Sequence, residues 1–244
     1  MNFDEQGHLV CTPKQLYDMA VANPHRLLTG YLMMGTPWAF AEYAQYCDFL
    51  EAVSERTGVH VKNLYVRGSC HIGFSIAPDV DKIWVVMGQH SDLDLVIVDA
   101  EYFHRCQEEL RRWEARNPVT NLQQAAKAAA RRAQDRQYNC FRDKGLPKVV
   151  CVHHRKAMEK IAELAHCGHK RGVSAFIYPD WHSAQQRYEY DLTRLCSGIQ
   201  MGSLTTPPEQ PLPRDPIGQA ASSPAQPTPP SAPQSGQPEA PPQS

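Results

Sequence analysis

The stretch that most constrains this chain runs from Lys62 to Asp99, KNLYVRGSCHIGFSIAPDVDKIWVVMGQHSDLDLVIVD, where two β-prone runs bracket a Gly-Ser turn and lead into a pair of acids. Asn63 to Val66 is a short β-prone segment that stops at Gly68, whose missing Cβ permits a sharp turn and close approach by a ligand. Ser69 adds a small hydroxyl. If the residues after it open a helix, their unpaired N–H groups make a seat for anionic oxygen. The second run, Ser91 to Val98, begins by alternating and ends continuously apolar, the pattern of a strand whose far end is buried on both faces. Period-two alternation sends Asp92 and Asp94 to one face while Leu93 and Leu95 enter the core. Carboxylates held that close disfavour each other's ionisation unless a cation neutralises them, and hard oxygen ligands of this kind suit Mg²⁺ or Mn²⁺ carrying substrate phosphates. An isolated D-x-D is more often a turn cap followed by a solvated strand residue. The Gly-Ser turn upstream is what lifts this pair out of that class.

The order VRGS at 66–69 and then SDLDLVI at 91–97 resembles the DNA polymerase β-like nucleotidyltransferase superfamily, whose pattern is hydrophobic-Gly-Ser, a spacer, and Asp-hydrophobic-Asp-hydrophobic. The longer strings GSCHIGFSIAP and SDLDLVIVDAEYF are similar to a group of bacterial minimal nucleotidyltransferase-domain proteins. The resemblance implies transfer of a nucleoside monophosphate from an NTP, ATP in particular, to an acceptor hydroxyl on a protein, a nucleic acid or a small molecule. It places Gly68 and Ser69 at the phosphates, with Asp92 and Asp94 as the catalytic pair that holds Mg²⁺ or Mn²⁺. The 22 residues between Ser69 and Asp92 exceed the spacer of the simplest forms. The extra segment, Ala77 to His90, reads as an inserted loop and a candidate lid over the site. Members of the superfamily often supply a third carboxylate from a later strand. The matching run here, Val173 to Tyr178, contains no acid, and Asp180 just beyond it is the candidate. A two-carboxylate site is therefore expected, with the base for the attacking hydroxyl left open. Two rival readings stand beside the enzyme: a catalytically degenerate nucleotide-binding or antitoxin-like partner of the same fold, and an interaction module acting through its helices or tail.

Composition sets outer limits. With 42% hydrophobic and 21% charged residues in 244, the chain can bury a sizeable core. A net charge of −1 gives no global attraction to nucleic acid, so a polyanionic partner would need a local patch. No apolar run approaches membrane-spanning length, and the opening MNFDEQGH is polar and acidic, so a cytoplasmic protein with no membrane partner is expected. The eight cysteines form no C-x-x-C pair and read as reduced thiols.

The rest of the chain reads as support. Thr12 and Pro13 give a cap-then-proline start for a helix ending before Pro24. Thr36 and Pro37 repeat that signal ahead of a helix from Trp38 to about Arg56, stopped by Gly58, with Tyr43, Tyr46, Phe49, Leu50 and Val53 at helical spacing. Ala100 to Ala115 is a third helix. Leu122 to Tyr138 is a fourth, carrying Lys127, Arg131, Arg132 and Arg136. Such a basic face is usually just solvated. The functional alternative has Arg131, Arg132, Arg142 or Lys144 touching the triphosphate or a polyanionic acceptor, with Arg142, in a loop over 138–148, foremost. Val149 to Cys167 is helical. Its His153-His154 pair, with His166 and His169 beyond, lacks zinc-site spacing and reads as an exposed, histidine-bearing helix end. A last helix spans Trp181 to Leu195.

The expected fold is α+β, a small mixed β-sheet with strands near 62–66, 92–98 and 173–178 packed by helices. Residues 1–61 form a helical segment against a core of 62–203. Thr205 to Ser244 holds 13 of the 20 prolines and almost no large apolar residue, so 204–244 reads as a disordered, Pro-rich tail. Its PTPPSAP run could dock in an aromatic groove of a protein partner.

Overall fold

The three expected strands form and lie side by side. The computed structural model describes residues 1–88, 91–117, 133, 136–142, 151–164 and 172–212. Strands β3 (Leu64–Arg67), β4 (Leu93–Val98), β5 (Phe141–Arg142) and β6 (Val173–Tyr178) make one mixed sheet in the order β3-β4-β6-β5. β4 runs antiparallel to β3 and parallel to β6, while β5 runs antiparallel to β6. A separate two-stranded hairpin joins β1 (Asn2–Phe3) to β2 (Leu9–Val10). The chain is thus mixed α+β.

Alternation along the strands divides the core in two. Leu64 and Val66, Leu93, Leu95 and Ile97, Ala175 and Ile177, and Phe141 face α3 (Tyr43–Thr57), α5 (Ala100–Arg116) and α6 (Val152–Leu164). Tyr65, Val96, Val98, Phe176 and Tyr178 face α1 (Pro13–Ala22), α2 (Pro24–Leu27), the π-helical turn Leu28–Leu32 and α7 (Trp181–Gln200). β4 lies between two partners and is buried along its length except at Asp94, which is half-buried. Each fully buried Leu or Ile there contributes about 1.5–3 kcal/mol relative to exposure. One polar residue in such a strand is a local exception to the core.

Helix ends follow their chemistry. Thr12 and Gln15 form a reciprocal capping box on α1, with Pro13 in its first turn. Gly58 ends α3 in the left-handed conformation at φ 76°. Asp99 caps α5 by accepting the Tyr102 N–H at 2.7 Å. The start of α3 differs from expectation, lying at Tyr43 rather than Trp38. Thr36 is buried, and its hydroxyl donates to Gln6 O at 2.7 Å instead of capping a helix. The Trp38 and Ala39 amides donate to His71 O and Cys70 O, and the Trp38 indole N–H donates to Leu9 O. The segment is spent on tying the hairpin to the turn after β3.

Two further expectations are corrected. The 138–148 stretch is not simply a loop, because Phe141 and Arg142 pair with Ile177 and Phe176. The inserted segment after Ala77 is irregular in its described residues, as expected, and is anchored: Phe74 bridges to Val86, and Ile83 and Trp84 are buried in the core. The first residues of the supposed tail are docked. Thr205 O accepts the Trp84 indole N–H at 2.9 Å, Pro208 O accepts the Lys14 amide at 3.1 Å, and Leu204 and Leu212 pack against the α7-side core. Residues 213–244, including PTPPSAP, and the basic residues Lys127, Arg131, Arg132 and Lys144 lie outside the described residues. No helix among the described residues is long and apolar enough to cross a membrane.

Candidate functional site

Because β3 runs against β4 and β6 runs with it, the C-terminal end of β3 and the N-terminal ends of β4 and β6 meet at one edge of the sheet. The Gly-Ser turn and both acids fall at that edge. β3 ends at Arg67, which pairs in register with Asp94. Gly68 follows at φ 73° and ψ −151°, a backbone conformation open essentially to glycine alone. Ser69 opens α4 (Ser69–Ile72), a single turn in which the His71 and Ile72 amides return to Gly68 O.

Asp94 is gripped from both sides. Its Oδ1 accepts the Ser174 hydroxyl at 2.6 Å, and Ser174 is its register partner on β6. Its Oδ2 lies 3.0 Å from where a Cβ on Gly68 would stand. Asp92, one step before the strand, is exposed. Its Oδ1 lies 3.0 Å from a would-be Cβ on Gly172, and its carbonyl accepts the Cys70 thiol at 3.2 Å. The Leu93 N–H donates to Gly172 O, so Gly172 continues the β4–β6 ladder beside Asp92. The acids thus share one sheet face, each in a space that a missing side chain keeps clear. Among the described residues no group of three or more His, Cys, Asp or Glu side chains comes together to hold a metal. The residues present fit a divalent cation as a two-carboxylate site: hard oxygens, with Gly68 and Gly172 adding no bulk beside them.

The sequence reading missed what stands behind this edge. Arg67 projects onto the same face, where its guanidinium lies 4.2 Å from the Tyr188 ring centre and 4.7 Å from that of Phe176. Its Nη2 donates to Asp191 Oδ2 at 3.0 Å. Arg187, four residues before Asp191 on α7, also holds that carboxylate, with Nε 3.3 Å from Oδ2 and Nη2 3.2 Å from Oδ1. The Tyr188 hydroxyl accepts the Gly68 N–H at 3.4 Å, and the Tyr46 hydroxyl from the opposite face accepts the Val66 N–H at 3.2 Å. β3 is an outer strand, so helices on both faces supply hydroxyls to its unpaired edge amides. Burial pushes both phenols up, which keeps them protonated. The i,i+4 spacing of Arg187 and Asp191 was the one signal in the sequence for this cluster.

The remaining candidates fall elsewhere. Arg142, on β5, is half-buried opposite Phe176, on the same sheet face but one row beyond Asp94. Asp180 is not a third carboxylate for the site. It follows the far end of β6 and caps α7 by accepting the Ser183 N–H at 2.7 Å. At about 3.3 Å per strand residue, the length of β6 separates it from Ser174 and Asp94. His153 pairs with Glu109 at 2.9 Å, and His154 is buried with its Nδ1 2.8 Å from the Tyr102 hydroxyl. His154 is therefore core, not an exposed helix end, while His166 and His169 lie outside the described residues. No protein-family model, curated protein or solved structure matches the chain.

Proposed function

We propose that the chain is a metal-dependent nucleotidyltransferase, moving a nucleoside monophosphate from an NTP, ATP foremost, to an acceptor hydroxyl. The observation that carries this reading is the approach of the Asp94 carboxylate to Gly68, 3.0 Å from a would-be Cβ. It joins the two halves of the motif, Gly-Ser and D-x-D, which lie far apart in sequence. The order of elements agrees with it: a strand into the Gly-Ser turn, a helical turn, then an antiparallel strand that opens on the acids.

On this reading Asp92 and Asp94 hold Mg²⁺ or Mn²⁺, whose chemistry is to neutralise triphosphate charge and align the acceptor oxygen with the α-phosphorus. Ser174 fixes the rotation of the Asp94 carboxylate through its hydrogen bond. Gly68 leaves room for phosphate beside the turn, and Ser69 offers a hydroxyl and the first amides of α4. The bond formed is acceptor oxygen to α-phosphorus, and the bond broken is that from the α-phosphorus to its bridging oxygen. Pyrophosphate leaves, and the acceptor's proton is lost to a base.

A second reading is favoured by one feature. The β6 position beside Asp94, where an additional acid could sit, carries Ser174, and the Gly68 amide is already donated to Tyr188. A nucleotide-binding or antitoxin-like partner of the same fold, which transfers nothing, fits that pattern. Incubation with α-labelled NTPs, Mg²⁺ and a lysate separates the two. Labelled acceptor with pyrophosphate release supports transfer, Mg²⁺-dependent nucleotide binding without release supports the silent partner, and no nucleotide binding removes both.

A further inference from the structure

On the α7 face of the sheet, behind the Gly-Ser turn, two guanidinium groups share a single carboxylate. Arg67 Nη2 and Arg187 Nε both reach Asp191 Oδ2, at 3.0 and 3.3 Å, and Arg187 Nη2 reaches Oδ1 at 3.2 Å. Each guanidinium keeps its Nη1 buried with no hydrogen-bond partner among the described residues. The Arg187 side chain is 9% exposed and the Arg67 side chain 11%. Buried polar groups in folded proteins are paired almost without exception, and an unmade bond to a charged donor is among the costliest. Two cations on one anion leave one positive charge over, and the rings about them, Tyr188, Phe176, Tyr138 and Tyr190, answer it through their faces. The Tyr178 hydroxyl, near Arg67 and beside Cys140, is held protonated by burial and so adds a potential donor to the same neighbourhood.

We infer that Arg67 and Arg187 form the seat of a phosphate-class oxyanion, which takes their Nη1 donors and balances the charge that Asp191 leaves over. A tetrahedral oxyanion matches this donor set better than water does. It carries charge and several acceptor oxygens, and arginine forks bind phosphate with charge-assisted bonds. Of the two acids at this end of the sheet, Asp94 is the one cross-strand from Arg67, and its carboxylate is turned to Ser174 and toward Gly68. A divalent cation on Asp94 would cancel that charge and leave the arginine pair less neutralised. Cation and oxyanion therefore bind better together than apart, a positive linkage of the usual reciprocal kind. In that second half the inference rests on the nucleotidyl-transfer reading, with the arginine seat taking a phosphate of the nucleotide.

Isothermal titration of the full chain with inorganic phosphate, pyrophosphate and ATP, each with and without Mg²⁺, tests it beside the Arg187→Met and Arg187→Lys variants. The expected result is binding of phosphate or pyrophosphate that Mg²⁺ strengthens. Arg187→Met should weaken it roughly tenfold or more, as for loss of a charge-assisted bond, and Arg187→Lys should restore part of it. Guanidinium NMR on the unaltered chain carries the test even if a variant fails to fold, because the Arg67 and Arg187 signals should move on adding phosphate. Absence of phosphate and pyrophosphate binding, or binding that leaves those signals in place, overturns the seat. ATP binding that Arg187→Met leaves unchanged also overturns the seat but spares the nucleotidyltransferase reading. Arginine-dependent phosphate binding with no ATP binding does the reverse.

Discussion

Oδ2 of Asp94 lies 3.0 Å from the point where a Cβ would stand on Gly68, so the turn after β3 and the acid of β4 each fix the space open to the other. The first prediction concerns that turn. Gly68→Ala places a carbon against the carboxylate and forces a non-glycine residue to φ 73° and ψ −151°. The expected loss is about 1–3 kcal/mol in urea melts, together with loss of nucleotide binding. Gly30→Ala is the control, since nothing lies within 4 Å of its would-be Cβ. Equal, small effects from both substitutions would contradict the close approach.

Ser174→Ala removes the 2.6 Å hydrogen bond that orients Asp94. It is expected to cost about 1–2 kcal/mol of stability and to weaken Mn²⁺ binding several-fold, because the carboxylate is then free to rotate. Unchanged Mn²⁺ affinity, read by electron paramagnetic resonance, would mean that this rotation does not matter to the cation.

The end of the packed chain gives a third prediction. A chain ending at Ser203 loses the Trp84–Thr205 and Lys14–Pro208 hydrogen bonds and the packing of Leu204 and Leu212, all of which a chain ending at Leu212 keeps. The shorter chain should melt several degrees lower, since two hydrogen bonds at about 1 kcal/mol each are a sizeable part of a domain's net stability. Identical melting temperatures would show these contacts to be idle.

The edge that carries Gly68, Asp92 and Asp94 was legible because turns and strand alternation are local patterns, written in adjacent residues. What escaped the sequence reading depends on partners far along the chain. β5 is two residues long with no periodicity of its own, and its existence as a strand comes from β6. Tyr188 reads as a core residue on a helix, and its contact with Gly68 spans 120 positions. Trp38 looked like helix because nothing nearby reveals that its amide and indole are claimed by His71 and Leu9. The segment after Ser203 has few large apolar side chains, so composition says tail, yet it docks through Leu204 and Leu212 and through the carbonyls of Thr205 and Pro208, which composition does not weigh.

His71, buried in the turn of α4, supplies a pH prediction. Burial pushes its pKa down to about 4 from 6.5, so between those values the unfolded chain takes up a proton that the folded chain refuses. Stability from this group is complete above pH 6.5 and falls as pH drops toward 4, by roughly 3 kcal/mol in all. His71→Gln should flatten the slope of unfolding free energy against pH in that window, whatever it does to stability at neutral pH. An unchanged slope would mean that His71 takes its proton in the folded chain as readily as in the unfolded one.

The last prediction separates a metal site from a pair of structural acids. Asp92 is exposed and Asp94 half-buried, so Asn at either position preserves shape while removing one charge. If the two share a cation, each single substitution should abolish Mg²⁺-dependent nucleotide binding, and the double substitution should add little, because residues acting as a unit are non-additive. The metal-free fold responds differently at the two sites. Asp92→Asn should be nearly neutral. Asp94→Asn should cost about 1 kcal/mol, since an amide oxygen accepts the Ser174 hydroxyl less strongly than a carboxylate does. Urea melts without metal and nucleotide titrations with Mg²⁺ read the two effects separately. Additive losses in binding, or loss of stability with nucleotide affinity unchanged, would make the acids independent structural groups and leave the nucleotidyltransferase reading without its metal.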